Sequence, residues 1–212
     1  VGMLIMALRK VVFHQNIHHK GHYPSWAPTF GVGIELHNKN IGMIGLGKIG
    51  KKIGEILHNG FGAKINYLKN NTTHDLSYPT IGLCSDEFFK SQNIIILCCP
   101  LNDSTKHIIC QETIKKMPTN SILVNIGRGE LIDQESLINN LDKFSSLALD
   151  VTCPDPLPLG HPLLSHGKVF ITPHIASATR DARQKMVAMA INNIRDNIEN
   201  ISGKKSNWVN NF

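Results

Sequence analysis

The sequence predicts an α/β fold built on a doubly wound parallel sheet, and three observations carry that prediction. Short, almost continuously apolar runs recur along the chain, as strands covered on both faces require. Between them lie segments whose apolar residues repeat at helical spacing. A glycine-rich turn, Gly45-Leu46-Gly47-Lys48-Ile49-Gly50, follows the first run and opens one of the helical segments. Strand and helix alternating in this way imply parallel strands joined by crossover helices.

In chain order, residues 3–19 read as a helix, followed by a polar loop through Gly21, Pro24, Pro28, Gly31 and Gly33. Residues 40–44 form the first strand. The helix over 48–59 presents Ile49, Ile53, Ile56 and Leu57 as one apolar stripe. Further strands are expected at 64–68, 93–98, 121–125, 147–150 and 169–172, with helices around 112–117 and 134–141. Residues 180–201 carry Met186, Met189, Ala190, Ile194 and Ile198 at the spacing of a long amphipathic helix. The stretch 202–212 is polar apart from Trp208 and Phe212.

At 212 residues the chain can bury one good core, or one domain with a piece of another. It opens on Val1 and a run that reads as the interior of a buried helix without an N-cap, so a fragment is expected. That run is too short to span a bilayer and no basic segment precedes it, so neither a transmembrane helix nor a signal peptide is supported. The formal charge of +6 lies on scattered lysines with no aromatic-interleaved basic stripe, which argues against nucleic acid. A diffuse positive field suits anionic cofactors and carboxylate substrates. Of the five cysteines, Cys98 and Cys99 are adjacent on one strand and point to opposite faces, so reduced, structural thiols in a cytoplasmic protein are expected.

The glycine turn has the composition of a phosphate cradle. Gly45 permits the tight turn, Gly47 lets the backbone approach a pyrophosphate, and Gly50 lets helix pack on strand. Lys48 and Ile49 sit where the helix N-terminus offers unpaired N–H groups to phosphates. At the end of the second strand a dinucleotide lacking the 2′-phosphate wants an acid. The chain has Lys69, Asn70 and Asn71 there, and no acid until Asp75. Lys69 and Asn70 therefore favour NADP(H), with NAD(H) as the alternative if Lys69 is merely a solvated surface lysine.

Reduction of a 2-keto acid needs a cation to hold the carboxylate, a proton donor titrating near neutrality, and a carboxylate to orient that donor. Arg128, His174 and Asp155 supply these types beyond the ends of candidate strands, where open α/β sheets bind ligands. His14, His18 and His22 fall at i, i+4 and i+8, but no Cys or acid joins them and Gly21 and Pro24 end the helix; a solvated face is expected and no metal. His107, His161 and His166 read as surface loop residues.

At these residues the chain resembles the D-isomer-specific 2-hydroxyacid dehydrogenase family. The matching pieces are residues 45–50, Pro100-Leu101 with Ser104-Thr105, Asn-Ile-Gly-Arg-Gly-Glu-Leu-Ile-Asp (125–133), Ala-Leu-Asp-Val (148–151) and Pro-His-Ile-Ala-Ser-Ala-Thr (173–179). Residues 150–164, ending in His-Pro-Leu-Leu, are similar to the glyoxylate/hydroxypyruvate reductase branch. The resemblance implies a Rossmann domain over 1–176, including an N-terminal interdomain helix and a dimer loop. Residues 177–212 would be a C-terminal helix and tail returning to an otherwise missing substrate domain. It implies that Arg128, His174 and Ser177 meet substrate, that His174 is the proton donor and that Asp155 is its acidic partner. Asp150, Pro100, Ile126 and Ala176 would lie along the cofactor. A homodimer is implied, with Trp26 reaching toward the neighbour's site; a buried staple under its loop is the competing role.

Three departures stand out. The partner position is usually Glu, and Asp155 is one methylene shorter, a reach about 1–1.5 Å less. Ala176 stands where the branch often has Gly, and the family's chain extends well before the point where this one starts. Two other readings share these residues: an NAD-dependent dehydrogenase of another hydroxy acid, and a dinucleotide-sensing corepressor-like protein. In the latter an aromatic closely follows the histidine, where this chain has Ala176-Ser177-Ala178.

Overall fold

The computed structural model describes residues 1–22, 25–69 and 76–201. Seven strands are formed among them: β1 (Asn40–Ile44), β2 (Lys64–Leu68), β3 (Thr80–Leu83), β4 (Ile94–Leu97), β5 (Ser121–Asn125), β6 (Phe144–Leu149) and β7 (Val169–Ile171). They make one parallel sheet in the order β3-β2-β1-β4-β5-β6-β7. The chain winds outward from β1 in one direction and from β4 in the other. The crevice where ligands bind in such sheets therefore lies at the carboxyl ends of β1 and β4.

Eight helices are described: α1 (Gly2–Leu8), α2 (Val11–His19), α3 (Lys48–Phe61), α4 (Ser85–Ser91), α5 (Gln111–Lys116), α6 (Gln134–Ile138), α7 (Pro162–Ser165) and α8 (Arg180–Ile201). Strand residues alternate between two buried clusters, as period-2 geometry demands. Ile95, Leu97, Leu123, Leu147 and Leu149 pack with Phe88 and Phe89 of α4, Ile114 of α5 and Leu137 of α6. Ile41, Met43, Ile94, Ile96, Ile122 and Val124 face the other way, toward Leu4 and Leu8 of α1 and Leu57 of α3.

The chain divides into two compact units, residues 1–173 and 174–212. The first holds the whole sheet. In the second, Thr179 Oγ1 accepts the Ala182 N–H at 3.2 Å and caps the start of α8, which spans the expected 180–201. Trp208 and Phe212 lie outside the described residues.

Several expectations need correction. The helix expected over 3–19 is two helices, broken at Lys10, whose φ is 50°. The Leu8 carbonyl, which a continuous helix would bond to Val12, instead accepts the Ile34 N–H at 3.0 Å. The returning loop thus ends α1, and α2 leaves the sheet with no buried residue. Half of the stripe expected on α3 faces the core: Leu57 is buried and Ile53 packs against it, while Ile49 and Ile56 are exposed and Gly50 and Gly54 take the remaining buried positions. Glycines let this helix sit closer to β1 than an isoleucine face would. Trp26 is 84% exposed, which rules out the buried staple.

Candidate functional site

The cradle is built from one strand end pressed against another. Gly45 leaves β1 with φ +103°, and a Cβ there would lie 2.6 Å from the Cys99 backbone nitrogen. The neighbouring Cys98 Sγ donates to the Gly45 carbonyl at 2.8 Å. Burial, then the adjacent Cys99, pushes the Cys98 thiol up to about 12, so it stays protonated and serves as this donor. Gly47 caps α3 in extended conformation with no side-chain cap, and a Cβ at Gly47 would meet nothing within 4 Å. The first N–H groups of a 14-residue helix therefore open onto free space, the arrangement that binds phosphate.

That space is a cavity of about 690 Å³. Gly45, Gly47, Lys48, Lys51, Lys69 and Pro100 are among its walls. Pro100 is held from behind, its carbonyl accepting Thr105 Oγ1 at 2.8 Å. A close-approach glycine turn, an uncapped helix start and three lysines fit the pyrophosphate of a dinucleotide. Gly50 lies beneath, where a methyl would overlap the Gly45 carbonyl.

Arg128 follows β5 on a loop that the Asn125 side chain constructs. Asn125 is fully buried; its Oδ1 accepts the Gly127 N–H at 3.0 Å and its Nδ2 donates to the Arg128 carbonyl at 2.8 Å. Gly127 and Gly129 are buried while Arg128 between them is exposed, and its Nη1 donates to the Gly127 carbonyl at 2.7 Å. The loop thus presents one guanidinium to solvent from a rigid base. A methyl on Gly129 would overlap the Thr152 carbonyl. This brings the arginine loop against the segment that carries Asp155.

Asp155 is exposed on the loop after β6. Two bonds fix that loop: Thr152 Oγ1 donates to the Pro154 carbonyl at 2.7 Å, and the Cys153 N–H donates to Gln134 Oε1 at 3.4 Å. The Gln134 Nε2 lies 3.1 Å from His161 Nε2, and His161 Nδ1 accepts the Leu163 N–H at 3.3 Å at the start of α7. His161, expected to be a bystander, is therefore part of the scaffold. Asp150 is buried at the end of β6, its Oδ1 accepting Thr172 Oγ1 at 2.5 Å. Ile126 leaves β5 with its N–H on the Leu97 carbonyl at 3.1 Å.

His174, Ala176 and Ser177 belong to the second unit. His174 has φ 53°, and the turn after it is closed by the Ala178 N–H on Ile175 O at 2.9 Å and the Thr179 N–H on Ser177 O at 2.9 Å. Asn70 lies outside the described residues, as do Asn71 and Asp75.

The structure thus brings Gly45, Gly47, Lys48, Lys69 and Pro100 around one cavity and seats the Arg128 loop against the Asp155 loop. Sequence reasoning missed Lys51, Asn125, Gln134 and His161. Only Asn125 left a local signal, a strand-terminal Asn before Gly-Arg-Gly, which suits a side chain bonding the backbone two residues on. Among the described residues no three His, Cys, Asp or Glu converge, and His14 Nε2 lies 2.9 Å from the Gly31 carbonyl.

A doubly wound parallel sheet with this glycine turn at its switch point defines a dinucleotide-binding domain of the Rossmann class. The family model for the NAD binding domain of D-isomer specific 2-hydroxyacid dehydrogenases matches residues 1–176. The chain belongs to that family. It is 34% identical over 200 residues to a glyoxylate reductase of Thermofilum pendens, covering 92% of this chain and 59% of the relative. It is 33% identical over 194 residues to glyoxylate/hydroxypyruvate reductase B of Yersinia pestis, covering 87% of this chain and 58% of the relative. Its backbone superposes with a TM-score of 0.87 on the TT0316 protein of Thermus thermophilus, at 32% identity over 94% of this chain and 63% of that one. The chain spans about three fifths of the length of these curated relatives.

Proposed function

We propose that this chain is the cofactor-binding part of an NADPH-preferring reductase of small 2-keto acids, glyoxylate and hydroxypyruvate among them. The observation that carries the reading is the lysine-walled cavity over the Gly45–Gly50 turn, which borders Cys99 as the Arg128 loop does. The likeness to glyoxylate and glyoxylate/hydroxypyruvate reductases supports the same substrate class.

Bound in the cradle, the reduced dinucleotide supplies a hydride for the keto carbon. The Arg128 fork holds the substrate carboxylate and draws electron density toward the keto oxygen. His174 gives that oxygen its proton, Asp155 orients the imidazole and stabilises its charged form, and Ser177 adds a contact to substrate. Asp150 would lie near the nicotinamide carboxamide, Pro100, Ile126 and Ala176 would line the cofactor, and Ile49 and Gly50 would meet the pyrophosphate. Lys69 with Asn70 selects NADPH over NADH.

The protein works as a homodimer in the cytoplasm in this reading, with the exposed Trp26 at the neighbour. Among the described residues no helix is long and apolar enough to cross a membrane, and the five cysteines are free thiols.

The test is NADPH consumption with glyoxylate and with hydroxypyruvate, with dinucleotide binding and sedimentation measured on the same sample. Turnover lost in Arg128→Ala and in His174→Ala, with NADPH binding intact, is the expected result. Failure to bind either dinucleotide refutes the reading.

A further inference from the structure

We propose that Thr152 is a positioning residue for the reduction: its hydroxyl sets the peptide that carries Asp155, and through it the carboxylate that serves the proton donor. The inference rests on the reductase reading above, in which Asp155 orients that donor, and names the residue that places Asp155.

The segment after β6 is anchored by burial on either side of Asp155. Val151 is 3% exposed, and Leu157 packs against the core cluster that holds Leu149 and Leu163. Between these anchors residues 153–156 are exposed. An exposed stretch gains little from apolar contact, so its path is set by polar bonds.

Thr152 supplies one of these from a buried position: it is 7% exposed, and its Oγ1 donates to the Pro154 carbonyl at 2.7 Å. That carbonyl belongs to the peptide unit that ends at the Asp155 Cα, and the atoms of such a unit are coplanar. Holding the carbonyl oxygen therefore fixes the plane from which the Asp155 side chain departs. An aspartate has a single methylene between backbone and carboxyl, so it cannot make up for a displaced backbone by reach.

The backbone of Thr152 is gauged as well. A methyl at Gly129 would overlap the Thr152 carbonyl and lie 2.7 Å from the Cys153 nitrogen. The peptide after Thr152 thus bears on the residue next to Arg128, whose carbonyl Asn125 Nδ2 holds at 2.8 Å. The backbone of Thr152 meets the arginine loop, and its hydroxyl holds the aspartate loop. If the hydroxyl works through Asp155, its loss slows turnover at unchanged substrate affinity. A displacement passed to Arg128 would instead weaken the hold on the carboxylate and raise KM.

The experiment measures steady-state reduction of glyoxylate and hydroxypyruvate by NADPH, with NADPH dissociation constants and thermal unfolding on the same samples. It compares the wild type, Thr152→Val, Thr152→Ala, Thr152→Ser, Asp155→Asn and the double variant Thr152→Val/Asp155→Asn. Valine keeps the branched shape without the hydroxyl, and the exposed Pro154 can turn its carbonyl to water, so folding should hold. Thr152→Val and Thr152→Ala are expected to lower kcat roughly ten- to hundredfold, the cost of a misplacement of about 1 Å, with KM and NADPH affinity unchanged. Thr152→Ser is expected to turn over as the wild type does. In the Asp155→Asn background the valine substitution should cost nothing further, since both changes remove one function. An equal fall in both backgrounds, a rise in KM in place of the fall in kcat, or a Thr152→Ser variant as slow as Thr152→Val would overturn the inference. Wild-type turnover leaves the reductase reading standing in each of those cases. A wild type without turnover on either acid defeats both.

Discussion

Removing the side chain of Asn125 tests whether the arginine loop is built as described. Asn125→Ala deletes an acceptor from the buried Gly127 N–H and a donor from the Arg128 carbonyl. A neutral hydrogen bond contributes about 0.5–1.5 kcal/mol net, whereas a buried group left unpaired costs about 1–3 kcal/mol. Gly127 is buried and bears that larger penalty; Arg128 is exposed, so its carbonyl can turn to water. The expected loss is therefore about 2–4 kcal/mol. Urea unfolding reads it as a lowered midpoint at unchanged slope. NADPH affinity should hold while turnover collapses, because the cradle rests on β1 and α3 and not on this loop. Asn125→Asp separates the two bonds. Its carboxylate keeps the acceptor for Gly127 but loses the donor to the Arg128 carbonyl and sets an anion against it, so at neutral pH it should retain most of the loss seen in Asn125→Ala. A loss for Asn125→Ala within about 0.5 kcal/mol of zero, ordinary for a surface site, refutes the construction.

Gly45→Ala should abolish dinucleotide binding in a fluorescence titration, since φ +103° and a Cβ 2.6 Å from the Cys99 nitrogen both oppose it. At pH 8, alkylation followed by peptide mapping should label the exposed Cys84 and Cys153 and spare Cys98, whose thiol burial and Cys99 hold at about 12. Hydrogen bonds from Lys116 and then Lys90 lower the Asp86 carboxyl from 3.8 to about 2. Its contribution to stability is present above the unfolded pKa and disappears as pH falls toward 2, and Lys116→Met should move its NMR titration midpoint upward.

The sheet was legible wherever a strand is buried on both faces. Ile94–Leu97 and Ser121–Asn125 are buried throughout, and their apolar runs mark them. The edge strand Thr80–Leu83 is not: it is half-exposed, contains Gly82, and lacks both an apolar run and a clean alternation. The helix after it was missed because its buried residues, Phe88 and Phe89, are adjacent and show no helical period. In the site, the glycine turn and Arg128 could be read because their chemistry is local. Gln134 and His161 could not, since they meet across 27 residues and neither carries a sign of the other.

Topology explains why the phosphate cradle and the arginine loop share a reference point. The sheet order places β4 between β1 and β5, so the turns leaving those two strands flank the end of β4. Gly45, leaving β1, leans on the Cys99 nitrogen, and a Cβ at Gly127, past β5, would stand 3.0 Å from the Cys99 carbonyl oxygen. Cys98 ties the same strand end to the Gly45 carbonyl. Two parts of the site that are 82 residues apart in sequence, Gly45 and Gly127, are thus gauged against one residue. A displacement at Cys99 should therefore disturb dinucleotide binding and Arg128 placement together, whereas changes at Asn125 or at Gly47 should each disturb one alone. Separate losses in cofactor affinity and turnover from those two positions, and a joint loss from Cys99→Phe, would mark the strand end as the element that couples them.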